Sequence, residues 1–297
     1  MHITMLGTGA ALPDPDRRHT AILLTLDNGR RVLLDCGHGA TTNMVRANVN
    51  PADVPLVVLT HLHHDHISDL PFFLLEGWML NRIGSPTVIG PSGTASFVKC
   101  LLEGGAFDVD IRARAKYPAR KANIEAIRPV VREYDGGLIY DDDDLRITAF
   151  EVDHIPVEIS RCYGLRIEAE NKVVAFSGDT KPCPNIHDLA AGADLLIHEC
   201  TFPEAMIQHR IKSGVGTAAH TSPTELGQIA QRAGAKSLVA THFGHFDSLS
   251  PVLKRAAANH LAVDQMGPEQ LDAMARDIRA HYSGTLRLAH DLMRIDL

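Results

Sequence analysis

The chain is short of cysteine, of net positive charge and of long apolar runs. Its five cysteines, Cys36, Cys100, Cys162, Cys183 and Cys200, are scattered, odd in number and form no CxxC pair. That argues against a disulfide framework and against a cysteine-based zinc site, and it fits a reducing compartment. No stretch approaches the roughly 20 consecutive apolar residues of a membrane span. The opening MHITMLGTGA has neither the basic n-region nor the apolar h-region of a signal peptide. A soluble, cytoplasmic protein without a membrane partner is expected. The formal net charge is -7, so a long nucleic-acid duplex, held by lysine and arginine, would be repelled on average. Low-complexity linkers and repeats of fixed period are also missing, and one large α/β domain over residues 1–297 is expected.

Short apolar strands and helical stretches alternate. Residues 2–6, 21–26 and 31–34 read as strands, and Asn28-Gly29 between the last two is a hairpin signal. Pro55–Thr60 and Val173–Ser177 are continuous apolar runs rich in β-branched residues, as buried strands are. Further strands are expected at 145–152, 195–198, 237–241 and 285–289, and helices at 41–47, 70–80 and 268–280. Ser222, Pro223 and Glu225 have the spacing of an N-cap, first position and third position of a helix through Ala233, a capping box. Trp78 and Met79, on the second of those helices, read as core or as substrate wall. Gly7 and Gly9 read as a tight turn or as a phosphate-cradling loop.

Seventeen histidines are present, and their placement matters more than their number. His61-Leu62-His63-His64-Asp65-His66 packs four histidines and an aspartate behind a buried strand. Strands also end near His154, Asp179, Glu199 and His242. Polar groups at the ends of buried strands are a common way to build a site on a rigid scaffold. Residues i and i+2 of an extended chain point to one side, so His61 and His63 can grip one ion. A following helical turn swings Asp65 and His66 toward a second point, and His64 falls out of phase. Imidazole and carboxylate together suit zinc, manganese or iron. Segment 112–132 holds seven basic residues against one acidic residue, Glu125, and is followed by Asp141–Asp144. It reads as a solvated strand pair with a turn, or as a basic rim that attracts an anionic substrate. His245 reads as pocket-lining or solvent-facing.

THLHHDH resembles the HxHxDH signature of the metallo-β-lactamase superfamily. The resemblance implies a four-layer αββα sandwich and two divalent ions, zinc first among the choices. It implies His61, His63 and His154 on the first ion, Asp65, His66 and His242 on the second, and Asp179 of SGDT as the bridge. MHITMLGTGAALPDPDRRHTA, LLDCGHGA, LLIHECTF, AAHTSPTELGQIA and ATHFGHF are similar to segments of the ribonuclease Z branch, with His38 where glutamate is usual. By that likeness Glu199 orients His220, and His220 stabilises charge on an oxygen of the substrate. Relatives of this branch are often homodimers.

Two departures disfavour transfer RNA as the substrate. Only 24 residues separate His154 from Asp179, too few for the long arm that short-type ribonuclease Z uses to grip transfer RNA. The Ser-x-Arg-Tyr pattern after the last metal histidine reads Gly244-His245-Phe246 here. A small anionic ester is expected instead. Two ions about 3.5–4 Å apart would share a water and lower its pKa, giving a bridging hydroxide as nucleophile. Asp65, His220 and Glu199 are the expected proton-handling residues. A phosphodiesterase is the leading expectation. An arylsulfatase, lactonase or phosphotriesterase on the same ions, and a ribonuclease Z-type endonuclease, are the alternatives.

Overall fold

The computed structural model describes residues 1–297 apart from Glu103, 213–218 and 258–265. In chain order its strands are β1 (His2–Gly7), β2 (Ala21–Thr25), β3 (Arg31–Leu34), β4 (Leu56–Val58), β5 (Thr87–Pro91), β6 (Val130–Tyr134), β7 (Gly137–Asp141), β8 (Arg146–Val152), β9 (Cys162–Ala169), β10 (Lys172–Phe176), β11 (Leu195–Glu199), β12 (Ser237–Thr241), β13 (Thr285–Leu288) and β14 (Arg294–Asp296). They form two seven-stranded mixed sheets with helices packed on them, the metallo-β-lactamase fold. The chain divides into two compact units, each built on one sheet.

The first unit comprises Met1–Gly7, His19–Asp135 and Leu292–Asp296. Its strand order is β14-β1-β2-β3-β4-β5-β6. The β14-β1-β2-β3 half is antiparallel and the β3-β4-β5-β6 half is parallel. The Asn28-Gly29 turn closes the β2–β3 hairpin as expected, with Gly29 at φ +85°. The apolar β4 carries Leu56, Val57 and Val58, all buried. The helix Leu70–Met79 seats Phe73, Leu74 and Trp78 in one cluster with Met44, Leu59 and Val88. Each such large side chain contributes about 1.5–3 kcal/mol by leaving water. Trp78 is therefore core, not substrate wall.

Segment 112–132 is not a strand pair. It forms the helices Asp108–Arg114 and Pro118–Ala122 and a 3-10 turn, Ile124–Ile127, before entering β6. The helical spacing was present in the charges. Arg112 pairs with Asp108 and Arg114 with Asp110, each at 2.8 Å and four residues apart. Arg128 bonds Glu125 at 2.9 Å, and Arg120 donates to the Trp78 carbonyl at 2.8 Å. Four of the seven cations thus have partners within the unit.

The second unit comprises Thr8–Arg18, Gly136–Asp291 and Leu297. Its order is β13-β12-β11-β10-β9-β8-β7, antiparallel from β7 to β10 and parallel from β10 to β13. The segment between His154 and Asp179 forms the expected strand, turn and strand, with Glu170 and Asn171 at φ +52° and +57° in the β9–β10 turn. The capping box is present on the helix Pro223–Ala233. Gly227 lets that helix meet the chain end of the helix Glu269–Arg279, because a Cβ there would lie 2.5 Å from the Ile278 carbonyl oxygen.

This topology decides where side chains can gather. The chain leaves β3 at Asp35 and β4 toward His61. In the other sheet it leaves β10 toward Asp179, β11 at Glu199 and β12 toward His242. β8, which runs in the same direction as β10, leads to His154. All of these are carboxyl ends of strands, where open α/β sheets bind ligands because successive loops turn outward there.

Candidate metal centre

In the first unit His63 is extended and leads into His64–Ile67, one helical turn. The ring centroids of His61 and His63 are 4.8 Å apart and those of His61 and His66 are 4.1 Å apart. His66 Nε2 lies 3.7 Å from Asp65 Oδ2. The four expected donors of this loop are therefore together, and His61, Asp65 and His66 are buried. His64 is largely exposed and sits against His19, with ring centroids 5.7 Å apart.

Asp35 holds this loop in place, a role not read from the sequence. It is buried at the end of β3 with φ +56°. Its Oδ1 accepts the Thr60 amide and its Oδ2 the Thr60 hydroxyl, each at 2.8 Å. The same Oδ2 lies 2.7 Å from His66 Nδ1. The Thr60 hydroxyl proton is committed to Asp35, so at 3.0 Å its oxygen accepts from His61 Nδ1–H. Both histidines thus carry their proton on Nδ1 and present Nε2, the arrangement that oriented metal-binding histidines use. Gly37 completes the support. A Cβ on it would lie 2.2 Å from the Asp65 carbonyl oxygen, so only glycine allows the two loops to approach. LLDCGHGA was the available signal: a polar residue ending a buried strand, two residues before a glycine.

The second unit repeats the principle. His154 Nδ1 donates to the Ala219 carbonyl at 3.0 Å, and its Nε2 lies 3.5 Å from Asp179 Oδ2. His242 Nε2 lies 3.2 Å from that same oxygen. Thr201 is the hub. Its hydroxyl donates to Glu199 Oε2 at 2.8 Å and, its proton committed, accepts from His242 Nδ1 at 2.9 Å. His220 Nδ1 donates to Glu199 Oε1 at 2.8 Å. The His220 ring lies 5.0 Å from that of His154 and stacks 5.7 Å from that of His242. His242 has φ +60°, a sparsely populated conformation for a side-chain-bearing residue of the kind that collects at functional sites. Thr201 lies in ECTF, two residues after Glu199, and nothing in its spacing marks it as a hub.

The electrostatics follow from burial and partners. Burial alone would raise the Glu199 carboxyl, but the His220 charge and hydrogen bond outweigh it and hold the group below the usual carboxylate range. Burial lowers His154, and Asp179 offsets part of that, which favours the neutral imidazole that can act as a ligand. His245 is buried, not solvent-facing, and burial lowers it too. A pocket of about 420 Å³ opens beside His154, with Arg161, Lys181 and Ser160 among its walls.

Each unit therefore presents buried carboxylates beside imidazoles with defined tautomers. This donor chemistry fits divalent ions of the zinc type. The His/Asp clusters are suited to binding divalent metals.

The model of the family described as anti-Pycsar protein Apyc1 matches residues 1–213. A ribonuclease Z of Mycobacterium bovis (strain BCG / Pasteur 1173P2) is 32% identical over 304 residues, covering 100% of this chain and 98% of its own length. The chain belongs to the Apyc1 family and to the ribonuclease Z-related metallo-β-lactamase-fold hydrolases. It is a metal-dependent hydrolase of ester bonds. Two solved structures share the fold of this Apyc1-family hydrolase. The metallo-β-lactamase fold protein YhfI of Bacillus subtilis has a TM-score of 0.71 at 19% identity and covers 99% of this chain and 98% of its own. Human tRNase Z, short form, has a TM-score of 0.69 at 22% identity and covers 100% and 99%. The span aligned with the Mycobacterium bovis protein barely exceeds the 297 residues here, so that ribonuclease Z carries no long insertion relative to this chain. A missing arm therefore does not by itself separate this chain from proteins of that name. Among the described residues no helix is long and apolar enough to cross a membrane.

Proposed function

We propose that this Apyc1-family hydrolase is a dinuclear phosphodiesterase acting on a small or short-oligonucleotide phosphoester, with residues 1–297 working as one catalytic domain. In this reading His61, His63 and His154 would hold one ion, Asp65, His66 and His242 would hold the other, and Asp179 would serve both. Zinc is the first choice of metal, with manganese and iron as alternatives. Bound there, divalent ions would supply Lewis acidity and lower the pKa of water.

The observation that carries the reading is the Glu199–His220 pair. The 2.8 Å bond from His220 Nδ1 to Glu199 Oε1 fixes the ring beside His154 and His242 and favours its imidazolium, whose Nε2–H is then a directed donor. Such a donor is what the departing oxygen of a phosphodiester requires. Glu199 is fixed in turn by the Thr180 amide at 2.9 Å and by Thr201. Asp65 accepts the proton of the attacking water, and the pocket beside His154 gives the substrate room.

The test is hydrolysis of bis(p-nitrophenyl) phosphate by the zinc- or manganese-loaded protein. H63A and D65A are expected to lower bound metal and to reduce turnover at least about a thousandfold, the scale of a lost directed electrostatic group. Turnover of an aryl sulfate or lactone with none of the diester would overturn the phosphodiesterase reading. Full activity of either variant would overturn the ligand assignment. The armless Mycobacterium bovis relative favours a second reading, a ribonuclease Z-type endonuclease, and efficient 3′ cleavage of a precursor transfer RNA would select it.

A further inference from the structure

Three arginines of this chain are buried, and two of them are tied down. Arg17 donates to Thr8 Oγ1, the Ala289 carbonyl and Asp247 Oδ2 at 2.8–3.0 Å. Arg82 donates to the carbonyls of Ala126, Pro51 and Phe73. Arg210, on the helix Glu204–Lys212, is 9% exposed and has neither arrangement. Among the described residues no carboxylate pairs with it, and its buried Nε has no hydrogen-bond partner. Burial, with no carboxylate to offset it, holds the guanidinium below its usual value.

Its neighbours place it one aromatic ring away from His220. The Arg210 Cζ lies 3.9 Å from the centroid of the Phe202 ring, and that ring is edge-on to His220 with centroids 6.0 Å apart. Arg210 Cζ is therefore within about 10 Å of the His220 ring. Phe202 is itself fixed, because Gly244 leaves space that a Cβ would fill at 2.9 Å from Phe202 Cε1. Stacking covers one face of the guanidinium and leaves its edge, a fork of N–H donors that matches a phosphate or carboxylate. A buried guanidinium whose Nε makes no hydrogen bond is destabilised, and a bound oxyanion would relieve that.

We infer that Arg210 is a specificity residue that binds a second anionic group of the substrate, a phosphate lying next to the scissile ester. The substrate class is thus a phosphodiester that carries an adjacent phosphate, as a 5′-phosphorylated short oligonucleotide does. This inference rests on the phosphodiesterase reading above.

The test compares the dinucleotide TpT with pTpT, which have the same scissile ester and differ by one terminal phosphate. The native protein is expected to prefer pTpT about tenfold or more in kcat/KM, through KM, as a charged hydrogen bond supplies. R210M is expected to abolish that preference, and R210K to keep part of it. Melting temperature and bound metal, measured on both variants, identify any loss that comes from misfolding. Equal use of the two dinucleotides by the native protein, or an undiminished preference in folded R210M, overturns the inference. A metal-loaded native protein that cleaves neither dinucleotide nor bis(p-nitrophenyl) phosphate defeats the phosphodiesterase reading instead. That result is distinct from a retained preference in the variant.

Discussion

Asp35 Oδ2 accepts the Nδ1 proton of His66 at 2.7 Å and, through the Thr60 hydroxyl, governs His61 as well. One carboxylate thus sets the tautomer of two candidate ligands. In D35N an amide replaces one acceptor oxygen with a donor, and the two histidines lose a common reference. Metal affinity of the first unit's ligands is expected to fall about 10- to 100-fold, the usual cost of removing such a support. Bound metal after dialysis against graded chelator measures it. Unchanged retention would show that the HLHHDH loop holds its shape without Asp35.

Thr201 offers a finer test, since its methyl group and its hydroxyl do different work. T201V keeps the volume but removes the hydroxyl shared by Glu199 and His242. A loss of about 10- to 100-fold in kcat and a weaker hold on metal are expected, whereas T201S restores both. Equal behaviour of the two variants would mean that packing, not hydrogen bonding, gives this residue its importance.

Gly37→Ala tests the close approach of the two loops. The added Cβ would meet the Asp65 carbonyl oxygen at 2.2 Å, a backbone atom that no side-chain rotation can clear. Overpacking of this kind costs about 1–3 kcal/mol. Urea denaturation should record that loss together with reduced metal content. A variant as stable as the parent would contradict the loop contact.

Acid stability should carry a contribution from Asp194, away from the candidate ligands. Burial tends to raise its carboxyl, but the Lys236 bond at 2.8 Å and the Val173 amide outweigh it and hold the group below its ordinary value of 3.8. A depressed folded-state value means stability that is fully present above the unfolded value. It is lost as pH falls through the lower, folded value. The stability gap between the parent and D194N should therefore be constant above about pH 5 and close below pH 4, read by denaturation across that range. A gap that widened on acidification would reverse the assignment.

How much of this was visible beforehand depended on the distance along the chain between partners. The hairpin at Asn28-Gly29 and the Ser222–Glu225 capping box are local contacts, and both formed as their residues predicted. The HLHHDH loop was legible for the same reason. His154, Asp179, Glu199 and His242 were legible through the apolar runs that precede them. Helices in 108–122 escaped notice because their signal lies in charge pairs four residues apart, not in an apolar stripe. Asp35 and Thr201 escaped because their partners are remote: Asp35 meets Thr60 and His66 from 25 and 31 residues away, and Thr201 meets His242 from 41. The left-handed backbone at Asp35 and His242 was invisible too, since neither is a glycine.

The order of residues alone determined which donor types stand at which strand ends, and with them the expectation of divalent metals and ester hydrolysis. Only the tertiary structure decided which nitrogen each histidine presents. A ring's tautomer is set by the oxygen that accepts its other proton, and for His61, His66 and His242 that acceptor chain ends on Asp35 or Glu199. Tertiary structure also decided which buried arginines have a carboxylate partner among the described residues. Arg17 and Arg210 look alike as letters, and only folding gave Asp247 to the one and left the other facing a phenylalanine.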